Sequence, residues 1–163
     1  MSSTIAKDTP LQEITLRRYE KPSNLHGRNL IRKLCLSVGL LQVGDSRDVV
    51  VDVLYVLLKA KKELSSDDVV KLVIEYRKQE NLQLRGIAAS NIRRQIKRLR
   101  NLYFIEKITN NYRITELAGL SDTFEEKIEK FILPSMVSRV KEYLHAADAE
   151  FMDMKAGQEI QRT

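Results

Sequence analysis

The clearest pattern in this sequence is that of a helix burying one face, between residues 90 and 103. Its apolar residues recur at a four-three-four spacing, which places them on one side of a helix: Ile92, Ile96, Leu99 and Tyr103. Ser90 stands where an N-cap residue is expected, with Ala88 and Ala89 as an alternative start. The opposite side is polar and basic. We therefore predict an amphipathic helix with one buried face and one cationic face.

Further helices are predicted on both sides of this one. Residues 28–41 are so densely apolar that a helix there must be covered on more than one side. The next predicted helix includes residues 49–60, with the sequence VVVDVLYVLLKA, which is apolar on nearly every side and is typical of a core helix. Ser65 or Ser66 is the expected N-cap of the next helix, because two aspartates that suit a first turn follow directly. A last set begins near Ser121, with a predicted buried stripe of Phe124, Ile128, Phe131 and Ile132.

Two short strands are predicted directly after the basic helix. The segments FIEKI and YRIT flank Thr109, Asn110 and Asn111, and asparagine tolerates the positive φ that tight hairpin turns require. The pattern therefore indicates a β-hairpin that follows the basic helix without a linker.

A basic helix followed at once by a short hairpin resembles the recognition helix and wing of the winged helix-turn-helix superfamily, over roughly residues 45–118. The resemblance implies a mostly α fold with a small β-hairpin wing, here with an N-terminal helical extension and a long C-terminal helix. It also implies a short strand at residues 63–65 that pairs with the wing. In this superfamily the helix enters the major groove of DNA, and the wing reaches along the backbone or the minor groove. The link over residues 78–86 is longer than in the simplest members.

The predicted nucleic-acid contacts are polar and basic residues of this helix and hairpin: Ser90, Asn91, Arg93, Arg94, Gln95, Lys97, Arg98, Asn101, Lys107, Asn110, Asn111 and Arg113. Asn91, Arg94, Gln95 and Arg98 are the expected readers of base edges, because amides and guanidinium groups match base hydrogen-bonding patterns. The other basic residues are expected to position the domain on phosphates.

The N-terminal segment is a second basic region. Arg17, Arg18 and Lys21 either form an arm that contacts phosphates or belong to an ordinary solvated surface. Both interpretations stay open from the sequence.

A heptad seam follows Pro134, which is expected to kink or restart the helix. Its apolar residues have a three-four-three-four-three spacing: Val137, Val140, Leu144, Ala147, Phe151 and Met154. The seam spans too few heptads to be stable alone, so it must pack on another surface. We predict a homodimer joined through this helix. The alternative is that the helix folds back onto the winged domain of its own chain, for example by packing against Val38, Leu40 and Leu41 of the N-terminal helix.

The basic and acidic residues are unevenly distributed along the chain. Residues 1–121 hold 22 basic and 13 acidic residues, a difference of +9, whereas residues 122–163 hold 6 and 9, a difference of −3. A basic body with an acidic end suits a polyanion-binding domain joined to a segment with another task. Chance asymmetry on a solvated surface is the alternative explanation.

The residues that carry catalytic chemistry form no recognisable set. His26 and His145 are the only histidines and have no metal-ligand spacing, and Cys35 lies in an apolar run where an inert thiol is expected. No glycine-rich phosphate loop, GxSxG or HExxH motif is present. We expect neither an enzyme nor a bound cofactor or metal. No signal peptide and no apolar run near the roughly 18 residues of a membrane span occurs, so a cytoplasmic, nucleoid-associated location is expected.

The predicted organisation has five parts: a flexible tail (1–13), a basic arm with an apolar helix (14–44), a winged-helix domain (45–118), C-terminal helices for dimerisation (119–157) and a tail (158–163). The leading hypothesis is a dimeric, sequence-specific binder of double-stranded DNA that acts in transcriptional regulation. Two alternatives stay open. One is a winged-helix protein-interaction module of transcription, replication or segregation machinery, which docks partners through the apolar N-terminal helix and the heptad helix. The other is binding of structured RNA.

Overall fold

A computed structural model of the chain describes residues 7–161, with side chains over residues 7–152. The chain divides into one compact unit that ends at Thr123 and a second that begins at Phe124, slightly beyond the predicted boundary at residue 118. The fold is mostly helical with one small antiparallel sheet. The outer parts of both predicted tails, residues 1–6 and 162–163, lie outside the described residues.

The N-terminal unit contains, in order, α1 (Gly27–Ser37), α2 (Val49–Ala60), β1 (Leu64–Ser65), α3 (Ser66–Gln79), α4 (Ala89–Asn101), β2 (Ile105–Ile108), β3 (Asn111–Ile114), a 3-10 turn (Thr115–Leu117) and α5 (Leu120–Thr123). The second unit contains a π-helical segment (Phe124–Ile132) followed by α6 (Leu133–Gln161). The strand order in the sheet is β1-β3-β2, with both pairs antiparallel.

Helix α2 is the centre of the N-terminal core, as its apolar sequence predicted. Its residues Val51, Val53, Leu54 and Leu57 have no solvent exposure. Helices α1, α3 and α4 all pack against α2, which explains why it needs apolar residues on nearly every side.

Helices α3 and α4 begin in different ways. The N-cap of α3 is Ser65, whose hydroxyl accepts a hydrogen bond from the Asp68 N–H at 3.1 Å, so one of the two predicted caps is confirmed. The N-cap of α4 is Ala88 and not Ser90, because the Ala88 carbonyl already accepts bonds from the N–H groups of Asn91 and Ile92. The cap expected at Ser90 is therefore wrong, and the alternative in which Ala89 is already helical is confirmed.

The C-terminal end of α4 also differs from the prediction. The helix ends at Asn101, and Tyr103 follows it with a φ of 65° and a side chain that is 39% exposed. Phe104, which is 2% exposed, enters the core in its place. The helical spacing continued past the helix in the sequence, but the left-handed backbone at Tyr103 turns that side chain outward.

Helix α1 is shorter than predicted, because it ends at Ser37 and not at Leu41. Gly39 has a φ of 76°, and the N–H groups of Leu40 and Leu41 both donate to the Cys35 carbonyl at 2.9 and 3.1 Å. Leu40 and Leu41 are nonetheless only 3% and 2% exposed. The apolar density of this segment therefore reflects a buried turn after the helix.

The turn at Gly39 provides a stability test. A Cβ atom on Gly39 would lie 2.6 Å from the Thr15 Cβ, and its positive φ alone disfavours a side chain by about 1–2 kcal/mol. We expect Gly39→Ala to lower the free energy of unfolding more than Gly44→Ala. Gly44 has a similar φ of 79° but no atom within 4 Å of its added Cβ, so it isolates the backbone cost. Equal losses in urea unfolding would show that the contact with Thr15 does not constrain the fold.

The hairpin forms where it was predicted, but its turn uses a different residue. Thr109 carries the positive φ of 56°, and Asn111 already belongs to β3. β1 pairs with β3 through Leu64 opposite Tyr112 and Ser65 opposite Asn111, so the short strand expected there is confirmed. The predicted reason for the turn, an asparagine with positive φ, is therefore wrong.

The second unit begins with a helix of unusual pitch. The last set of helices was expected to begin near Ser121, and α5 begins one residue earlier, at Leu120, so Ser121 lies inside the helix and is not its cap. In the π-helical segment, Ile128 and Ile132 are buried as predicted but Phe131 is 72% exposed. The wider turn rotates the chain by less per residue than an α-helix does, which carries Phe131 away from Ile128. Pro134, which has no N–H to donate, lies where regular α-helix resumes in α6.

Candidate functional site

The outer face of α4 is polar and exposed. It consists of Ser90, Arg94, Lys97 and Asn101, opposite the buried Ile92, Ile96 and Leu99. Within the described part of the chain, none of these four outer side chains has a hydrogen-bond or ion-pair partner. Their donors are therefore available to a ligand, and the two cations favour an anionic one.

One edge of this face is a chain of hydrogen bonds. The Asn91 amide donates to the Gly86 carbonyl at 2.7 Å and accepts from the Gln95 amide at 3.1 Å. Gln95 in turn accepts from the Arg98 guanidinium at 2.8 Å, and Arg98 also donates to the Leu40 carbonyl at 2.6 Å. Three of the four predicted base readers are thus held by one another and by the turn after α1.

This network changes the ranking of the predicted contacts. Arg94 is the one predicted base reader whose side chain is open to solvent with no internal partner among the described residues. Arg98 is half-buried and fastens α4 to the segment after α1. Sequence periodicity places Arg94 and Arg98 on neighbouring parts of the helix surface, but it cannot tell which of them has an internal acceptor.

The other edge of α4 carries two cations with weak partners. Arg93 lies 3.4 Å from the Asp67 carboxylate, and both side chains are more than half exposed. The Arg100 guanidinium lies 5.9 Å from the centre of the Tyr112 ring. Exposed ion pairs of this kind contribute little to stability, so Arg93 can exchange its partner for a stronger anion.

The hairpin adds one open cation to this surface. Lys107 and Asn110 are exposed and, in the region that the structure describes, make no side-chain hydrogen bond or ion pair. Arg113 instead donates to the Glu106 carboxylate at 2.7 Å, and Asn111 donates to Glu63 at 3.4 Å. The charge of Arg113 is therefore compensated within the hairpin, whereas that of Lys107 is not.

The N-terminal basic segment is tied to the domain. The Arg17 guanidinium donates to the carbonyls of Leu36 and Leu41 at 2.6 and 3.1 Å and to the Gln42 side chain at 2.7 Å. Arg17 thus satisfies carbonyls that the end of α1 leaves open, which is a structural role. Arg18 and Lys21 are exposed and stay candidates for phosphate contacts.

The apolar N-terminal helix offers little docking surface in this fold. Cys35 and Leu36 of α1 are buried, as are Val38, Leu40 and Leu41 after it. Leu30, at 37%, is the most exposed apolar side chain of the helix.

A largely buried ionic cluster in the N-terminal unit was not predicted. Arg28 of α1 binds Asp52 through two hydrogen bonds of 2.8 and 3.3 Å and contacts Asp48 at 2.9 Å. Arg77 of α3 binds the same two carboxylates and donates to the Gln83 carbonyl at 2.7 Å. The cluster joins α1, α2, α3 and the link before α4. Its signal in the sequence was Asp52, the single charge inside the apolar part of α2.

The cluster has a defined dependence on pH. Burial opposes ionisation of Asp48, but its hydrogen bond with Arg28 and the charge of Arg77 outweigh burial and lower the pKa of Asp48. Burial likewise opposes the charge on Arg28, while hydrogen bonds to Asp52 and Asp48 raise its pKa. A lowered carboxyl pKa contributes stability above its unfolded value of about 3.9, and this contribution is lost as the pH falls through the folded value.

In the second unit, the predicted seam of α6 is exposed. Val137, Val140, Leu144 and Phe151 are 51%, 57%, 57% and 63% exposed, and Ala147 is exposed as well. The side chain of Met154, the last predicted seam residue, lies outside the described residues. These exposed residues form a stripe of apolar side chains along α6.

Among the residues with described side chains, no group of three or more histidine, cysteine, aspartate or glutamate residues is arranged to hold a metal ion. Cys35 is fully buried, and burial raises the pKa of its thiol to about 12. No helix in the described part of the chain is both long and apolar enough to span a membrane.

Comparison of the chain with protein-family models, with curated proteins and with solved structures found no match.

Proposed function

We propose that this protein is a dimeric winged helix-turn-helix protein that binds double-stranded DNA at specific sequences and acts in transcriptional regulation. The observation that carries the proposal is the open cationic face of α4, with Arg94 and Lys97 at its centre, followed directly by a hairpin with an open lysine. The element order α2-β1-α3-α4-β2-β3, with β1 at the free edge of β3, supports the resemblance to this superfamily.

In this mechanism α4 is the recognition helix and the hairpin is the wing. An α-helix fits the DNA major groove, and an arginine there can donate two hydrogen bonds to guanine. Arg94 takes this role, and Ser90 and Asn101 are the neighbouring polar contacts on the same face. Lys97, Arg93 and Lys107 neutralise phosphates. Arg98, Gln95 and Asn91 hold the helix in position. Such binding would place the protein on the nucleoid.

The buried cluster of Arg28, Asp48, Asp52 and Arg77 supports the site indirectly. It fixes α3 and the link before α4 against α2, so that the cationic face is presented on a rigid frame. Rigid presentation matters because base recognition depends on hydrogen bonds with narrow distance and angle limits.

The proposed dimer forms through the exposed seam of α6. A single recognition helix contacts few base pairs, and a twofold pair doubles the number of contacts at a palindromic site. The acidic balance of residues 122–163 keeps this segment away from the phosphate backbone.

The test is selection of preferred duplexes from a random-sequence pool, followed by anisotropy titrations of the selected duplex across a salt series. We expect the selected duplex to bind at least about a thousandfold more tightly than random duplex near physiological salt. An RNA hairpin of similar length serves as the comparison. Equal affinity for selected and random DNA contradicts sequence-specific recognition, and preferential RNA binding contradicts the DNA proposal.

Lys107→Ala tests the wing separately. Loss of one phosphate contact per subunit, and so of two per dimer, should weaken binding to selected and random duplexes alike and reduce the magnitude of the salt slope, d log K/d log[salt], by about 1.8. Lys59→Ala is the matched control, since Lys59 lies in the groove between α2 and α3 and not on the hairpin. An unchanged slope for Lys107→Ala would show that the hairpin does not contact the backbone.

A further inference from the structure

The seam of α6 has a pattern of large and small residues that bears on the direction of pairing. The seam residues occupy the two core positions of the heptad in turn. Val137, Leu144 and Phe151 share one core position, and Val140 and Ala147 share the other. All five side chains are exposed and lie within helix α6. Two copies of this seam can pair in parallel or in antiparallel orientation, and the two orientations bring different residues together.

A parallel pair would pack poorly, because each seam residue then faces its own copy. Ala147 would meet Ala147 of the partner subunit, which leaves a space, and Phe151 would meet Phe151 of the partner subunit one layer later. Coiled-coil cores lose stability both from cavities and from overpacked layers.

An antiparallel pair matches large residues with small ones. With the twofold axis between His145 and Ala146, Leu144 faces Ala147 of the partner subunit, and Phe151 faces Val140 of the partner subunit. The layers then differ less in volume than in a parallel pair, which would contain both an Ala147 pair and a Phe151 pair, and so come closer to the even density of a packed interior. Because the twofold axis repeats every contact, two Leu144–Ala147 layers and two Phe151–Val140 layers form.

The charges beside the seam fit the same register. Lys141 and Asp148 occupy equivalent positions on one edge of the stripe, and both are exposed. In the antiparallel register Lys141 faces Asp148 of the partner subunit, again twice. In a parallel pair Lys141 would face Met136 and Asp148 would face Tyr143 of the partner subunit. The parallel pair instead places Glu150 opposite Lys155 of the partner subunit. Charge is therefore compatible with both orientations, and the difference in layer volumes favours the antiparallel one.

We infer that α6 pairs with α6 of a second copy of this chain in antiparallel orientation, with Leu144 opposite Ala147 and Lys141 opposite Asp148 of the partner subunit. The inference rests on the homodimer of the proposed function but not on DNA binding. It assigns the occupant of the exposed seam and the geometry of the assembly.

Disulfide trapping tests the direction of pairing. Val140→Cys and Phe151→Cys chains are mixed in equal amounts and equilibrated in a glutathione redox buffer. The antiparallel register brings positions 140 and 151 together across the interface, and it places the two copies of position 140 about 16 Å apart along the helix axis. Disulfides need Cα atoms within about 7 Å, so only the mixed disulfide should accumulate. The native Cys35 is buried and should not compete.

A charge exchange tests the register without cysteines. Lys141→Asp and Asp148→Lys should each weaken dimerisation on the order of tenfold, because each creates two like-charge contacts, and the double exchange should restore it. Ala149→Asp is the control, since Ala149 lies on the face of α6 opposite the seam. Sedimentation equilibrium gives the dissociation constants.

The outcomes separate this inference from the proposals beneath it. Mixed disulfides together with recovery in the double exchange support the antiparallel pair. A disulfide between two Val140→Cys chains, or no recovery in the double exchange, overturns the antiparallel register while the dimer and DNA binding stand. A chain that is monomeric at tens of micromolar overturns both this inference and the dimer, and DNA binding by the monomer would then be judged from the titrations alone.

Discussion

Replacing both Arg94 and Lys97 with alanine is expected to reduce the affinity for the selected duplex by at least about a hundredfold. An arginine that donates two hydrogen bonds to a base contributes about 1–3 kcal/mol, and the lysine adds a phosphate contact. The two side chains are exposed and have no internal partner among the described residues. Their removal should therefore change the free energy of unfolding by less than about 0.5 kcal/mol.

The two single variants should differ in kind. Arg94→Ala should lower affinity for the selected duplex more than for random duplex, since it removes base recognition. Lys97→Ala should lower both equally and reduce the salt slope. This difference distinguishes recognition of sequence from attraction to phosphate.

A charge-matched control is provided by Lys59→Ala combined with Lys78→Ala, at the C-terminal ends of α2 and α3. This pair removes the same net charge away from α4. If the control loses as much affinity as the Arg94 and Lys97 variant, the protein attracts DNA only through its overall charge. Unchanged affinity in the Arg94 and Lys97 variant, with the fold intact by circular dichroism, would refute the assignment of α4 as the recognition helix.

Asp52→Asn is expected to have the largest effect on stability, a loss of about 3–5 kcal/mol in the free energy of unfolding. Asp52 has no solvent exposure, and Arg77 is 3% exposed. Without the Asp52 charge, Arg28 and Arg77 share only Asp48, and one buried guanidinium is left without full compensation. The asparagine keeps the shape of the side chain, so the effect reports charge and not packing.

Two controls sharpen this prediction. Asp67→Asn makes the same substitution in the exposed pair with Arg93 and should cost less than about 1 kcal/mol. Asp52→Leu combined with Arg77→Met removes one charge of each sign and leaves Arg28 with Asp48. This double variant should be less destabilised than either single change, because no buried charge is left unpaired.

Urea unfolding at pH 7 measures these differences. A loss below about 1 kcal/mol for Asp52→Asn would mean that water or a rearranged Asp48 compensates the two arginines. DNA affinity of Asp52→Asn is then measured at a temperature where this variant remains folded. A lower affinity than that of the unsubstituted protein would show that the cluster positions α4.

The helices and the hairpin could be predicted because their signals are local. In α4 the spacing of Ile92, Ile96 and Leu99 is enough to define a buried face, and that face is observed. In α3 a serine followed by two acidic residues is enough to indicate the cap. The outer face of α4 follows from the same periodicity, since it is the side opposite the apolar stripe.

The errors arose where a backbone angle or a change of pitch overrode the periodicity. Gly39 ends α1 while the apolar pattern continues to Leu41, and the left-handed conformation of Tyr103 removes that residue from the buried face. The π-helical pitch before α6 turns Phe131 outward. The first two features each depend on the backbone angles of a single residue, and the third on the pitch of a nine-residue segment. A count of apolar spacings detects neither.

The sequence by itself therefore determined which segments are helices, which face of α4 is cationic and which stripe of α6 is apolar, because each property depends on residues within a few turns of one another. Only the tertiary structure decided which charges are available. Arg98 and Arg17 are bound to carbonyls 58 and 24 residues away in the chain, and Arg28 and Arg77 converge on Asp52. A guanidinium has the same sequence signature whether its acceptor is a carbonyl, a carboxylate or an external phosphate. Its role is set by the distance to that acceptor, which exists only after the chain has folded.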